Sequence, residues 1–150
     1  MRYGSPEEAK AIVQGLLDGV DTAYMTGDFS EHMKYVHVPH HIRSESEAFP
    51  IRNEREMEIA FRTFKDHTDE RGAVSCKRTC ISAKFKGRDK IEALHTVGYY
   101  DANGELSLPL TETTTVTMHI GLNWKICAST NTTTIPTGAM EAVRASMAES

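Results

Sequence analysis

"SPEEAKAIVQGLLDGVDTAYMTGDF", residues 5 to 29, opens with a capping box and closes with a glycine stop. Ser5 is placed to accept from the backbone of Glu8 and Glu8 to reach back to Ser5, while Pro6 occupies the first helical position, where a missing N–H is tolerated. Behind that start, Ala9, Ile12, Val13, Leu16, Leu17, Val20 and Tyr24 recur at three- and four-residue steps, giving one buried stripe on a helix that ends at Gly27. A long helix with a single apolar stripe needs an apolar surface to lie on, and the rest of the chain must supply it.

Asp28, followed by Glu31, starts a short second helix running through about Tyr35. Pro39 keeps that helix out of "YVHVPHHIRSES", so residues 36 to 43 read as extended. A third helix begins at "NEREMEIAFRTFKDH", with Asn53 as cap, Met57, Ala60, Phe61 and Phe64 on one face, and Gly72 after its end. From Ala73 onward the helical period vanishes. Runs rich in Thr, Val, Ile and Tyr, broken by "KGRDK", "DANGE" and "IGLNW", predict four antiparallel strands over about 73–86, 90–101, 106–120 and 123–134. The expected order is α-α-β-α-β-β-β-β. The elements fill residues 5 to 134, and 135 to 150 read as a C-terminal tail, either a weak helix or a frayed end.

A chain of 150 residues fits one domain with room for a substantial core. Its net charge of -4 comes from 21 acidic and 17 basic side chains spread without blocks, which disfavours a nucleic-acid backbone or an anionic membrane as partner. No apolar run approaches the roughly 20 residues that cross a bilayer, and the N-terminus lacks an apolar secretory core, so a cytoplasmic protein is expected. Cys76, Cys80 and Cys127 are odd in number and form no C-x-x-C pair, which argues for reduced thiols and against a cysteine-rich zinc site.

This element order, with "GDF" between the first two helices and "NWKI" opening the last strand, resembles the nuclear transport factor 2-like superfamily, which includes SnoaL-like cyclases, ketosteroid isomerases, scytalone dehydratases, epoxide hydrolases and non-catalytic binding domains. The resemblance covers about residues 5 to 134. It implies an α+β roll shaped as a cone, in which a curved, mostly antiparallel sheet wraps the long helix and leaves an apolar pocket. It also implies a homodimer through the outer sheet face. The general-base carboxylate of the ketosteroid isomerases would fall near Ser44 and their oxyanion-binding tyrosine near Val20, and neither residue can do that work. The Asp-Arg-Asp set of the epoxide hydrolases has no evident counterpart. Fold alone does not carry an activity across.

The histidine cluster of residues 37 to 41 is the first candidate site. Side chains alternate along a strand, so His37 and His41 share a face about 13 Å apart while His40 points the other way, and one strand cannot wrap these three around one ion. No metal and no cofactor is expected. If the strand passes the pocket mouth, either His40 or the His37/His41 pair looks inward. The bland alternative is hydrogen bonding at a strand edge, which Pro39 suits.

A second candidate comes from strand phase. Ile91, Ala93, His95, Val97 and Tyr99 form the apolar phase of the second long strand, and Leu108, Leu110, Glu112, Thr114, Val116, Met118 and Ile120 that of the third, with the threonines at 111, 113, 115 and 117 outside. A two-residue Asn103-Gly104 turn places His95 opposite Glu112, and a Gly87-Arg88 turn places Cys80 opposite His95, which makes a Cys80-His95-Glu112 row. The row reads as nucleophile, base and orienting acid, or as a buried thiol beside a His-Glu pair. "DANG" also suits a type I turn with a glycine bulge, which shifts the register by one, and Pro109 can add another. Arg78 shares a strand phase with Cys76 and Cys80 and is a candidate for anchoring an anion or pairing with Glu112. Tyr24, Phe29, Tyr35, Phe61, Phe64, Tyr99 and Trp124 are expected to line or close the cone. The resulting expectation is a protein that takes a small, apolar or cyclic molecule into a cavity between the first helix and the sheet. His40, His95 and Glu112 are its proton-transfer candidates for isomerisation, cyclisation or dehydration. The alternative is a non-catalytic ligand-binding or dimerisation module.

Overall fold

The computed structural model describes residues 4–43, 48–131, 143 and 145–148. Helix α1 spans Pro6–Thr26; the Ser5 hydroxyl accepts from the Glu8 N–H, and Gly27 ends the helix in the left-handed region at φ 73°. Helix α2 is a single turn, Phe29–His32, capped by the Asp28 carboxylate, and it stops short of Tyr35. Strands β1 (Val36–Arg43) and β2 (Ala48–Ile51) follow, then α3 (Glu54–Asp69), β3 (Ser75–Gly87), β4 (Lys90–Tyr100), β5 (Thr111–Ile120) and β6 (Asn123–Asn131). Val143 and residues 145–148 are helical, and Val143 is buried in the core; the remainder of the expected tail and Ser44 lie outside the described residues.

The six strands form one sheet in the order β2-β1-β6-β5-β4-β3. Among the described strands only the β1–β6 pairing is parallel; the others are antiparallel. The sheet is therefore mostly antiparallel, and helices pack on it, as an α+β roll requires. Strand β2 is a correction to the expected order: Pro50 in "AFPI" weakens its signal, but β2 sits at the sheet edge, where a proline is tolerated. β1 is consequently not an edge strand. Pro39 instead falls where the β1–β6 ladder is interrupted, between Val36 and His41.

The register of β5 is the correction with consequences. Asp101 and Glu105 close a tight turn, the Asp101 N–H donating to the Glu105 carbonyl at 2.8 Å, with Gly104 at φ 77°. That is a type I turn with a glycine bulge, held by the Asp101 carboxylate, which accepts from the Asn103 and Glu105 N–H groups. Leu106 then makes only an isolated bridge to Tyr100, and the segment through Pro109 leaves the ladder before β5 begins at Thr111. The net slip relative to a two-residue turn is one residue. His95 therefore stands opposite Thr113, and Glu112 opposite Thr96. A one-residue slip exchanges the faces of a strand. Thr115 and Thr117 are buried inward, whereas Glu112, Thr114 and Met118 are exposed.

The core lies between α1 and the inner sheet face, where Ala9, Val13, Leu17, Val20 and Ala23 meet Cys80, Ala83, Ile91, Ala93 and Ile126. Tyr35 crosses α1 directly over Gly19, so that a β-carbon added there would run into its ring, while the Tyr35 hydroxyl donates to Glu31 at 2.9 Å. Gly19→Ala is expected to dislodge Tyr35 and lower stability by about 1–3 kcal/mol, despite the better helix propensity of alanine. Urea unfolding reads this; a stabilised variant would contradict the close approach.

Candidate functional site

A cavity of about 210 Å³ opens between α1, α3, β1 and the inner faces of β3 to β6. Its apolar walls include Leu17, Val20, Met57, Ala60, Phe61 and Val97, and Val143 of the C-terminal segment also reaches it. Tyr24 stacks on Phe61 with ring centroids 4.6 Å apart and meets His32 edge-on at 5.3 Å. Phe64 packs against Tyr99 at 6.0 Å. Of the aromatic residues expected to line the cone, Tyr24, Phe61, Phe64 and Tyr99 do so. The other three are placed elsewhere. Phe29 is spent in the core beside His32 and Phe61, Tyr35 covers Gly19, and Trp124 packs against Phe85 and His119.

Arg78 lies on the cavity wall within a buried polar network. Its Nη1 donates to Asp21 Oδ1 at 2.6 Å, its backbone N–H to Asp21 Oδ2 at 2.8 Å, and its Nη2 to the Tyr99 hydroxyl oxygen at 3.1 Å. The guanidinium also sits 5.1 Å from the centre of the Tyr24 ring. Its partner is thus Asp21 and not Glu112. Cys76 donates from Sγ to the same carboxylate at 3.5 Å. Burial raises the Cys76 thiol to about 11 and pushes the Tyr99 hydroxyl to about 12, so both stay protonated at neutral pH. Asp21 was within reach of sequence reading: it lies four residues after Leu17 and three before Tyr24, a carboxylate inside the apolar stripe of α1.

Four histidines line the cavity: His67 is half-buried, and His32, His40 and His95 are each 4% exposed. The last three are the buried imidazoles of the site. All three have an Nδ1 without a hydrogen-bond partner among the described residues. His40 Nε2 lies 3.3 Å from Ser129 Oγ. Burial lowers His32 to about 3, His40 to about 4 and His95 to about 3, and the nearby Arg78 charge adds to the fall at His32 and His95. All three are therefore neutral imidazoles at pH 7. His40 is the inward member of the β1 cluster, and His41 is exposed on the other face. Among the described residues no three His, Cys, Asp or Glu side chains are grouped to hold a metal ion, and no helix is long and apolar enough to cross a membrane.

The Cys80-His95-Glu112 row is broken at its acidic end. Cys80 does stand opposite His95, but Glu112 lies on the exposed face of β5 and is removed from the catalytic candidates. Burial also raises the Cys80 thiol, whose Sγ donates to the Ser82 carbonyl at 3.5 Å, so it is not poised as a thiolate. His32, on a one-turn helix with no repeating pattern to mark its face, was missed by sequence reading.

No protein-family model matches the sequence, and no curated protein matches it. Solved structures do match. An NTF-2-like protein of unknown function from Shewanella oneidensis superposes with a TM-score of 0.65 at 16% identity, over 82% of this chain and 98% of that one. Two Nostoc punctiforme structures of unknown function with a cystatin-like fold give TM-scores of 0.66 and 0.67 at 10% and 8% identity, covering 94% and 92% of this chain and 86% and 97% of theirs. Identities this low speak to architecture alone. The chain has the nuclear transport factor 2-like, cystatin-like α+β fold.

Proposed function

We propose that this chain binds a small, cyclic, largely apolar molecule in the cavity behind α1 and moves a proton on it, in a reaction of the isomerisation, cyclisation or dehydration class. The observation that carries the reading is the set of three buried imidazoles, each with an Nδ1 unpartnered among the described residues, in a cavity walled largely by aromatic and aliphatic side chains. An unmet buried polar atom costs about 1–3 kcal/mol, and a ligand oxygen placed against it recovers that loss. The volume suits the purpose, since an apolar cavity of about 150 Å³ holds benzene and this one is about 210 Å³. Neutral imidazole both accepts and donates, which is what proton transfer between two ligand atoms requires. His95 and His40 are the acid–base residues of this reading, and Tyr24, Phe61, Phe64 and Tyr99 position the ring.

A binding role without chemistry is the second reading, favoured by two observations: the depressed histidine pKa values make weak bases, and the Asp21 carboxylate is already held by Arg78. 2-Tetralone, a bicyclic ketone with exchangeable α-hydrogens, separates the two. The expected result is saturable binding by thermal shift together with accelerated α-hydrogen exchange in D₂O by NMR, lost in His95→Gln and retained in Glu112→Gln. Binding without exchange leaves only the binding role; exchange abolished by Glu112→Gln contradicts the placement of that side chain outside the cavity.

A further inference from the structure

The lining of the cavity can gain positive charge near neutral pH but holds no carboxylate among the described residues. Arg43, Arg78, His32, His40, His67 and His95 are its ionisable nitrogen groups. Asp21 belongs to the network behind the wall, where both of its oxygens are taken up by Arg78. We propose that the molecule held here is an anion, a planar ring system bearing one negative oxygen-rich group, and that its binding draws one proton from solvent onto His95. The proposal rests on the cavity being a ligand site.

The physical argument is charge balance. Asp21 and Arg78 already neutralise each other at 2.6 Å, so an arriving anion brings an uncompensated charge into a site of low dielectric. A proton on one imidazole restores neutrality and supplies a charge-assisted hydrogen bond. Of the three buried imidazoles, His95 is the one that can take it. His32 is packed among the Tyr24, Phe29 and Phe61 rings, and His40 already meets Ser129. His95 has an unpartnered Nδ1 and no ring stacked on it among the described residues. The groups around it are Arg78 and Cys80 from β3, Asp21 and Tyr24 from α1, His32 from α2, His40 and Arg43 from β1, His67 from α3 and Tyr99 from its own strand. In the empty cavity burial first, and then the Arg78 charge, hold the proton off His95. A bound anion opposes both effects. Binding therefore raises the histidine pKa, and by linkage affinity rises as pH falls through the neutral range. Arg43, exposed at the cavity rim, adds attraction on entry.

The test uses naphthalene-2-sulfonate, which stays ionised at every pH where the protein is folded, and its neutral counterpart naphthalene-2-sulfonamide. Titration calorimetry in buffers of different ionisation enthalpy counts the protons. The sulfonate is expected to bind about tenfold or more tightly than the sulfonamide at pH 6, with close to one proton taken up; since the sulfonate cannot accept it, that proton goes to the protein. His95→Gln is expected to remove the proton uptake and the preference for the sulfonate over the sulfonamide. Equal or tighter binding of the sulfonamide, or sulfonate binding with no proton uptake, overturns the anion proposal and leaves the ligand site standing. Failure of both probes to bind overturns the ligand site as well.

Discussion

Unfolding free energy is expected to fall steeply as pH drops from about 6.5 towards 4, by up to about 4 kcal/mol per pH unit where three histidines act together. His32, His40 and His95 are held near 3, 4 and 3 in the folded protein, against about 6.5 in an unfolded chain. The sign follows from proton counting. Below pH 6.5 the unfolded chain binds protons at all three positions and the folded one does not, so acid favours unfolding; above that pH neither state binds them and the dependence vanishes. The loss would be complete only below the folded values, and a domain of ordinary stability unfolds before reaching them. Acid unfolding should therefore have its midpoint above the carboxylate range, whereas Asp28, Glu31 and Glu56, whose pKa values are lowered on folding, contribute only at lower pH. Urea titrations by circular dichroism at half-unit pH steps check this, and His95→Gln should flatten the slope by about one third. A stability that stays flat from pH 6.5 to 5 would mean that these imidazoles are solvated or already paired.

The legible and illegible parts of the molecule divide along a physical line. Local chemistry was readable: the Ser5, Asp28 and Asn53 caps all accept the bonds expected of them, and the inward phase of β4 falls on Ile91, Ala93, His95, Val97 and Tyr99, every one buried. The pairing of Cys80 with His95 came out as expected but by another route: the turn is Arg88-Asp89 and not Gly87-Arg88, and register shifts between Phe85 and Gly87 and between Cys80 and Ser82 offset the difference. What failed was register carried across an irregular link. The threonines of β5 look like an outer face by composition, yet Thr115 and Thr117 are buried because the Gly104 bulge and the irregular segment through Pro109 change the count by one. Hydrophobic alternation weighed lightly in that strand, since threonine is accepted on either face. Asp21 was overlooked for the opposite reason. Its spacing was plain, but its partner Arg78 lies 57 positions along the chain, a long-range pairing that periodicity does not report.

Asp21→Asn is expected to destabilise the protein by about 3–5 kcal/mol, more than any surface substitution, because it leaves the Arg78 guanidinium charged and uncompensated. Both partners are almost fully removed from water, with side-chain exposures of 10% for Arg78 and 5% for Asp21. Burial opposes the arginine charge, but Tyr99 and Asp21 outweigh it and raise its pKa, so shedding the proton is no escape. Arg78→Met should cost a similar amount by a different route: it strands the Asp21 carboxylate, whose remaining donors are the Arg78 backbone N–H and the Cys76 thiol. The two variants should part company with pH. A stranded carboxylate has its pKa raised on folding, so the Arg78→Met protein binds more protons folded than unfolded around that value and loses less stability on acidification than the parent. Asp21→Asn has no such group and should keep the parental slope. Replacing both residues, Asp21→Leu with Arg78→Met, removes both charges at once and should recover much of the loss, giving a coupling of several kcal/mol in the double-mutant cycle. Denaturant unfolding of the four proteins at pH 7 and pH 5.5 provides every term. Single substitutions costing under about 1 kcal/mol would show that water reaches the pair, in the manner of a surface salt bridge. A double variant no more stable than the worse single one would show that these residues hold the wall of the cavity by shape and not by charge.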